Sequence, residues 1–456
     1  MNRARRMFLQ STATLGAGFI AAAKALATRQ KEQTQDMPGM EHGQHKMPAA
    51  RSGSSTPTVA VPVQTPDVPD LPYEMDGEVK VFRLRAEPVQ RKLVPFKTMT
   101  VWGYNGSCPG PTIQVHQGDR VRVIFENGLP ESSTIHWHGL EVPIEMDGAP
   151  YISQKPVAPG EKFTYEFTLH QEGTFFYHSH SAMQEMMGQI GMFIIHPEKP
   201  YRPHVGHDFG IVLQEWAILP DRDVPNTANM EFNWLTFNGV SAPATTPMIV
   251  RQGNRVRIRI VNLGMDHHPI HLHGHQFYIT GTEGGRAPEG TWYPTNTVLV
   301  GVAQAKVIEF EAKYAGDWMV HCHLPHHMMN SMSDLVRDRA IMTADQTVDR
   351  AMAQMQTLAM SVPFRHSMFS PVAPNANSVP GFPQDAFMEM GMDDAVTKPE
   401  TYGLSPNWSA GMQGMMTLMR ILPDKKYDEI MARIKAGTRN PPMPPMKMDK
   451  DQRHSM

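Results

Sequence analysis

The chain has 456 residues, a net charge of −3 with histidine neutral, and only 2 cysteines. That length accommodates roughly two or three domains with a sizeable core, and the near-neutral charge argues against a protein built around nucleic acid or an anionic membrane surface. The excesses are 36 Met and 22 His. Both are donors suited to soft or borderline transition metals, but methionine also fills cores and histidine scatters on surfaces, so their clustering has to decide.

The N-terminus includes "ARRMFLQSTATLGAGFIAAAKALA", within the first 27 residues. Arg5 and Arg6 precede a weakly apolar run, and Ala25-Leu26-Ala27 suits a cleavage site. The segment resembles a twin-arginine signal, which exports folded proteins, so a periplasmic or otherwise exported location is expected. The run is too short and too rich in Ala and Gly to span a membrane. Residues 28–72 are rich in Pro, Ser, Gln, Met and His and read as a flexible linker. Its Met and His residues either capture a soft metal or are simply solvated.

From Tyr73 onward, short alternating runs such as "TIQVHQGDRVRVIFENG" and "EKFTYEFTLH" are separated by Gly, Pro and Asn turns. This pattern predicts an all-β sandwich or barrel. The chain then repeats itself: "NGSCPGPTIQVHQGDRVRVIFENGLPESSTIHWHG" is echoed by "NGVSAPATTPMIVRQGNRVRIRIVNLGMDHHPIHLHG". One offset, 135 residues, separates both Gly118 from Gly253 and His136 from His271. The units close alike, on "GTFFYHSH" and "GDWMVHCH". A period of this size implies two similar β-sandwiches, over 73–198 and 205–345. Residues 346–456 lack the pattern and read as a Met- and Pro-rich extension packing partly on the β core. Within it, "DKKYDEIMARIKAG" predicts a helix with Asp424 able to cap its start and Gly437 ending it.

Side chains alternate between the faces of a strand. In "HWH" (His136, His138), "HSH" (His178, His180), "HPIHLH" (His271, His273) and "HCH" (His321, His323), each histidine pair therefore projects on one face. Cys322 must point the other way, to a site shared with His268, His327 and Met332. A His₂Cys set with a weak axial Met describes a blue, or type 1, copper site. Zinc is the competing ion for a lone His/Cys cluster, but it has no use for an axial Met or eight further histidines. Because Cys322 is committed there, no disulfide with Cys108 is expected. An electron accepted at its sulfur has a short bonded route through His321 and His323 to a polynuclear cluster, the arrangement that four-electron reduction of dioxygen requires.

Together these motifs resemble those of the multicopper oxidases of the laccase-like kind, over about residues 73–345. The resemblance implies two cupredoxin-like Greek-key sandwiches and four copper ions. It places type 2 copper on His136 and His271, and the type 3 pair on His138, His178 and His323 and on His180, His273 and His321. The short interval between the second and third motifs leaves no room for a middle domain, so the chain resembles two-domain members with type 1 copper in the second domain only. Ser179 stands where Cys322 does in the other repeat. In such relatives the cluster forms between subunits, which implies a homotrimer. Asp147 matches an acid that relays protons in relatives, although Asp-Gly is also an ordinary turn. His326 stands where many relatives carry a second acid.

An axial Met accompanies a modest type 1 potential in the family. The expected reaction is therefore one-electron oxidation of phenols, aromatic amines or cuprous ion, coupled to reduction of O₂ to water. Oxidation of Cu(I) for copper tolerance is the close variant. The Met-rich extension either binds Cu(I) or packs on the sandwich. A copper nitrite reductase needs about three histidines at its catalytic site, which eight cluster ligands argue against. A non-enzymatic copper-binding protein leaves the ordered motifs unexplained.

Overall fold

The alternating runs fold as strands, and the computed structural model has one α-helix, α1 (Asp424–Ala436), against twenty-one strands among the described residues. These are residues 60–181, 183–218, 222–230, 232–328 and 392–439. The expected signal segment and the expected linker up to residue 59 lie outside them.

In chain order the first nine strands are β1 (Tyr73–Asp76), β2 (Val79–Val94), β3 (Lys97–Tyr104), β4 (Gly110–His116), β5 (Arg120–Asn127), β6 (His136–His138), β7 (Lys162–Thr168), β8 (Gly173–His178) and β9 (Ile190–His196). They form two sheets, β1-β2-β5-β7 with β3 on β2, and β4-β9-β8-β6. Phe82, Val123 and Tyr165 from one sheet meet Ile113, Trp137, Tyr177 and Phe193 from the other in a shared core.

The next twelve are β10 (His207–Trp216), β11 (Trp234–Phe237), β12 (Met248–Arg251), β13 (Arg255–Asn262), β14 (His268–Leu272), β15 (Phe277–Thr282), β16 (Gly285–Arg286), β17 (Tyr293–Thr295), β18 (Thr297–Val300), β19 (Gln304–Glu311), β20 (Gly316–Cys322) and β21 (Met416–Leu422). Their sheets are β11-β10-β13-β19-β15-β16 with β17 on β15, and β12-β21-β20-β14-β18. Ile258, Phe277 and Ile308 pack against Ile270, Val320 and Ile421. Each such side chain contributes roughly 1.5–3 kcal/mol on burial, so these clusters outweigh any single hydrogen bond in positioning the histidine strands. The repeat extends to topology: β2–β5 and β4–β9 are parallel pairs, as are β10–β13 and β12–β21. The protein is thus an all-β, cupredoxin-like fold.

The two sandwiches share an apolar cluster in which Phe176, Ile190 and Met192 meet Val212 and Val261. Beside it Arg259 pairs with Asp208 at 2.9 Å and donates to Thr174 Oγ1 at 2.7 Å.

Three local expectations change. Residues 60–72, placed in the linker, belong to the fold: Val63 and Leu71 are buried, and Gln64 and Asp70 form bridges with Phe209 and Thr112. The extension contributes β21, which lies inside a sheet between β12 and β20. Asp424 does not cap the helix; it is its first residue, after Pro423, and its carboxylate accepts from Arg251 at 2.6 Å. Gly437 does end it, at φ 60, a left-handed conformation that glycine adopts without a Cβ clash. Both cysteines are free and buried, and Cys108 packs with Trp216 and Trp234, away from Cys322. Among the described residues no helix is long and apolar enough to cross a membrane.

Candidate metal centres

Strand pairing assembles the histidines into two quartets. Antiparallel β6 and β8 set His136 opposite His178, and His138 Nδ1 lies 3.3 Å from His178 Nε2. The rings of His136 and His180 are 5.3 Å apart. Trp137, between the two β6 histidines, turns into the core as alternation requires. In the second sandwich β14 and β20 set His271 opposite His321, and His273 Nε2 lies 3.0 Å from His321 Nε2. His323 joins through ring contacts of 5.5 Å with His271 and 5.3 Å with His321. Among the described residues these contacts run within each quartet and none joins the two. Each quartet is partly open to solvent, with His180 and His323 exposed.

Hydrogen bonds decide which nitrogen each ring offers. His136 Nδ1 meets the Asp147 carbonyl at 2.8 Å, His178 Nδ1 that of Ser179 at 2.9 Å, His271 Nδ1 that of Asn296 at 2.7 Å and His321 Nδ1 that of Cys322 at 2.9 Å. A carbonyl only accepts, so each Nδ1 carries the hydrogen and each Nε2 is left as the acceptor nitrogen. Burial lowers the pKa values of His136, His273 and His321. His138 is brought down to about 4 by burial, aided by its neighbours His178 and His136. Neutral imidazole is the form that binds a metal. His178 moves the other way: burial lowers it, but the Glu185 carboxylate, 3.2 Å from Nδ1, more than offsets this.

On the opposite face of β20, Cys322 Sγ lies 3.7 Å from His268 Nδ1 and 3.5 Å from His327 Nδ1. Those two nitrogens are 3.1 Å apart. His268 Nε2 donates to Glu215 Oε2 at 3.1 Å, a fully buried carboxylate that also accepts the amides of Met265 and Asp266. His327 Nε2 faces Asp266 Oδ2 at 3.5 Å. With Nε2 of His268 bonded to Glu215 and Nε2 of His327 near Asp266, the two Nδ1 atoms converge beside a thiol that burial pushes up to about 12. A bound metal would take both imidazole nitrogens and convert the thiol to a thiolate. Two imidazoles and one thiolate are the equatorial donors of a blue copper site. The residues therefore fit the metal.

Of the other expected residues, Asp147 lies beside His136 through its carbonyl and, at 3.4 Å, through Oδ1. Met332 lies outside the described residues. His267 Nδ1 accepts the amide of Val302 at 3.1 Å, and His275 packs with Phe310, Tyr314 and Trp318. Glu215, Asp266 and Glu185 were not anticipated. Glu215 did leave a trace, a lone acid in the run "FGIVLQEWAIL", where a buried charge demands a partner.

Two family descriptions, both of multicopper oxidases, match residues 86–200 and 218–340, together just over half of the sequence. The chain belongs to the multicopper oxidase family. It is similar to Laccase-2 of Botryotinia fuckeliana, 30% identical over 243 residues, covering 48% of this chain and 41% of that protein. It is also similar to copper resistance protein A of Escherichia coli, 37% identical over 134 residues, covering 29% of this chain and 22% of that protein. The chain thus spans well under half the length of both relatives. Among solved structures, the blue copper oxidase from Nitrosomonas europaea aligns with a TM-score of 0.52 at 30% identity, covering 55% of this multicopper oxidase and 81% of that chain.

Proposed function

We propose that this multicopper oxidase couples one-electron oxidation of small donors to the four-electron reduction of dioxygen to water. One observation carries the reading: Cys322 shares one pocket with His268 and His327, while its covalent neighbours His321 and His323 belong to a histidine quartet on the other side of the strand. Type 1 copper would sit on His268, Cys322 and His327 with an axial methionine. Type 2 copper would take His136 and His271; the type 3 pair would take His138, His178 and His323, and His180, His273 and His321. Bound copper supplies reversible one-electron transfer at the thiolate site and multi-electron chemistry at the imidazole cluster.

The protein's own groups prepare that chemistry. Four backbone carbonyls fix imidazole tautomers, so Nε2 lone pairs are presented without reorganisation. Glu215 holds His268 from the rear. The Asp147 carboxylate, close to His136 and partly exposed, is placed to carry protons from solvent to the cluster.

The type 2 and type 3 sets each draw on both quartets, yet among the described residues no contact joins the two, and each opens towards solvent. This supports a head-to-tail ring in which the first sandwich of one copy meets the second sandwich of the next, a homotrimer with its clusters at subunit interfaces. Export to the periplasm through a twin-arginine signal rests on residues 1–27 alone.

Phenols and aromatic amines are the leading donors. Cuprous ion is a second reading, favoured by Asp266: its side chain is 43% exposed at the edge of His327, and an anionic entrance suits a cation. The test is a copper count on the purified protein, with oxygen uptake driven separately by a phenol, an aromatic amine and Cu(I). Four ions per chain, a blue band and uptake without peroxide are expected. Turnover with Cu(I) only would replace the laccase-like label with a cuprous oxidase. Variable copper without oxygen consumption would reduce the protein to a copper binder.

A further inference from the structure

Beside the Cys322 pocket lies a methionine to which the motif spacing does not point. The Met415 amide donates to the His327 carbonyl at 2.8 Å, and the Cys322 amide donates to the Met415 carbonyl at 3.0 Å. One residue thus clamps two of the three equatorial donors through its backbone. Its side chain is fully buried, in the same cluster as Cys322. Alternation along β21 agrees. Met416 pairs with His321 and so shares the His321 face, which leaves Met415 on the Cys322 face. Burial follows suit: Met416 and Leu418 pack in one cluster, whereas Met415, Met419 and Ile421 join the core that contains Cys322.

The first sandwich gives an independent measure of the same position. Ser179 stands where Cys322 does, and Gln184 follows it by the five steps that separate His327 from Cys322. There the Ser179 amide donates to the Gln189 carbonyl at 3.0 Å, and the Gln189 amide donates to the Gln184 carbonyl at 3.2 Å. The bond pair is the same. The next residue, Ile190, opens β9 and pairs with His178, just as Met416 opens β21 and pairs with His321. Gln189 is therefore the counterpart of Met415. It comes ten residues after Ser179; Met332 comes ten after Cys322. That count assumes an uninterrupted loop, and in the second sandwich the chain reaches the position only after the long segment that follows His327.

Granting the blue-site reading above, we infer that Met415 supplies the axial thioether of the copper held by His268, Cys322 and His327. The strand it leads into makes the C-terminal segment part of the metal site. The axial donor tunes the potential of such sites: losing a thioether disfavours the cupric state, and a harder oxygen donor favours it.

The test uses the full-length, copper-loaded protein, reading the blue charge-transfer band, the electron paramagnetic resonance splitting and the potential from a poised titration. Met415→Leu, a swap that roughly conserves volume, is expected to raise the potential. Met415→Gln is expected to lower it and to alter the splitting. Met332→Leu and Met419→Leu, the latter on the same face of β21, are expected to match the parent. A parent-like potential in both Met415 variants overturns the inference. So does an equal shift in Met419→Leu, which makes packing the cause. A parent without any blue band overturns the underlying reading and this inference with it, so the parent alone tells the two failures apart.

Discussion

The two sandwiches build the same triangle of side chains and fill it differently. In the first, Ser179 Oγ donates to Gln184 Oε1 at 2.7 Å and lies 3.3 Å from Ser133 Oγ. In the second, the equivalent corners are Cys322, His327 and His268. Hydroxyls and an amide satisfy one another, because each hydroxyl can donate as well as accept. A thiol beside two imidazole nitrogens is instead the soft donor set of a transition-metal site. The fold supplies the position in both halves, but only the second donor set asks for a metal.

The most damaging way to erase that difference is Cys322→Ser, which gives the second triangle the residue of the first. We expect one copper fewer per chain, complete loss of the blue band, and donor-driven oxygen uptake reduced to background. A variant that stays blue would falsify the placement of the type 1 site.

The quartets allow a comparison of a different kind, since they look alike but are proposed to work only in partnership. A chain carrying His136→Ala and one carrying His271→Ala should each be inactive alone. Unfolded and refolded together with copper in equal amounts, they should recover about a quarter of parental activity, because roughly one interface in four then pairs two intact quartets. A mixture that stays inactive breaks the subunit-interface reading in favour of a cluster within one chain.

A smaller effect is expected at Glu215, which has no counterpart behind the Ser133 triangle in the contacts described above. Glu215→Gln removes the buried negative charge and keeps one oxygen, enough to accept either from His268 or from the amides of Met265 and Asp266. That charge favours the cupric state, so the type 1 potential should rise while the copper count holds. An unchanged potential would show that the carboxylate only orients the ring.

What could be read in the sequence follows from where period-two geometry operates. In His321-Cys322-His323 the opposite facing of thiol and imidazoles is dictated by strand alternation alone, and the pairings of His136 with His178 and His271 with His321 needed only that the strands be neighbours. Asp147 was visible through the resemblance, as a side chain; its carbonyl, which sets the His136 tautomer, carries no sequence signal. Glu215 and β21 were missed for opposite reasons. Glu215 reaches His268 from a different strand, a contact that local spacing cannot reveal. In "MTLMRIL" every residue is buried, so the run lacks the alternation that marks a half-exposed strand, and its Met-rich surroundings suggested an appendage. Asp424 fits the helix-capping pattern, but it lies one position inside the helix, where Arg251 engages it.

The smallest effect is expected where the first triangle is simplified further. Ser179 Oγ donates to Gln184 Oε1 and accepts the amide of Ser181 at 3.1 Å. Ser179→Ala removes both bonds and the contact with Ser133 Oγ, and leaves Gln184 Oε1 buried without that donor, at a cost of about 1–3 kcal/mol. The carbonyl that orients His178 belongs to the backbone and survives the change. Thermal unfolding should therefore begin at a lower temperature, while copper content, blue band and potential stay at parental values. If the potential moved as well, the first triangle would be coupled to the second, and the contrast between a self-satisfied pocket and a metal-demanding one would have to be redrawn.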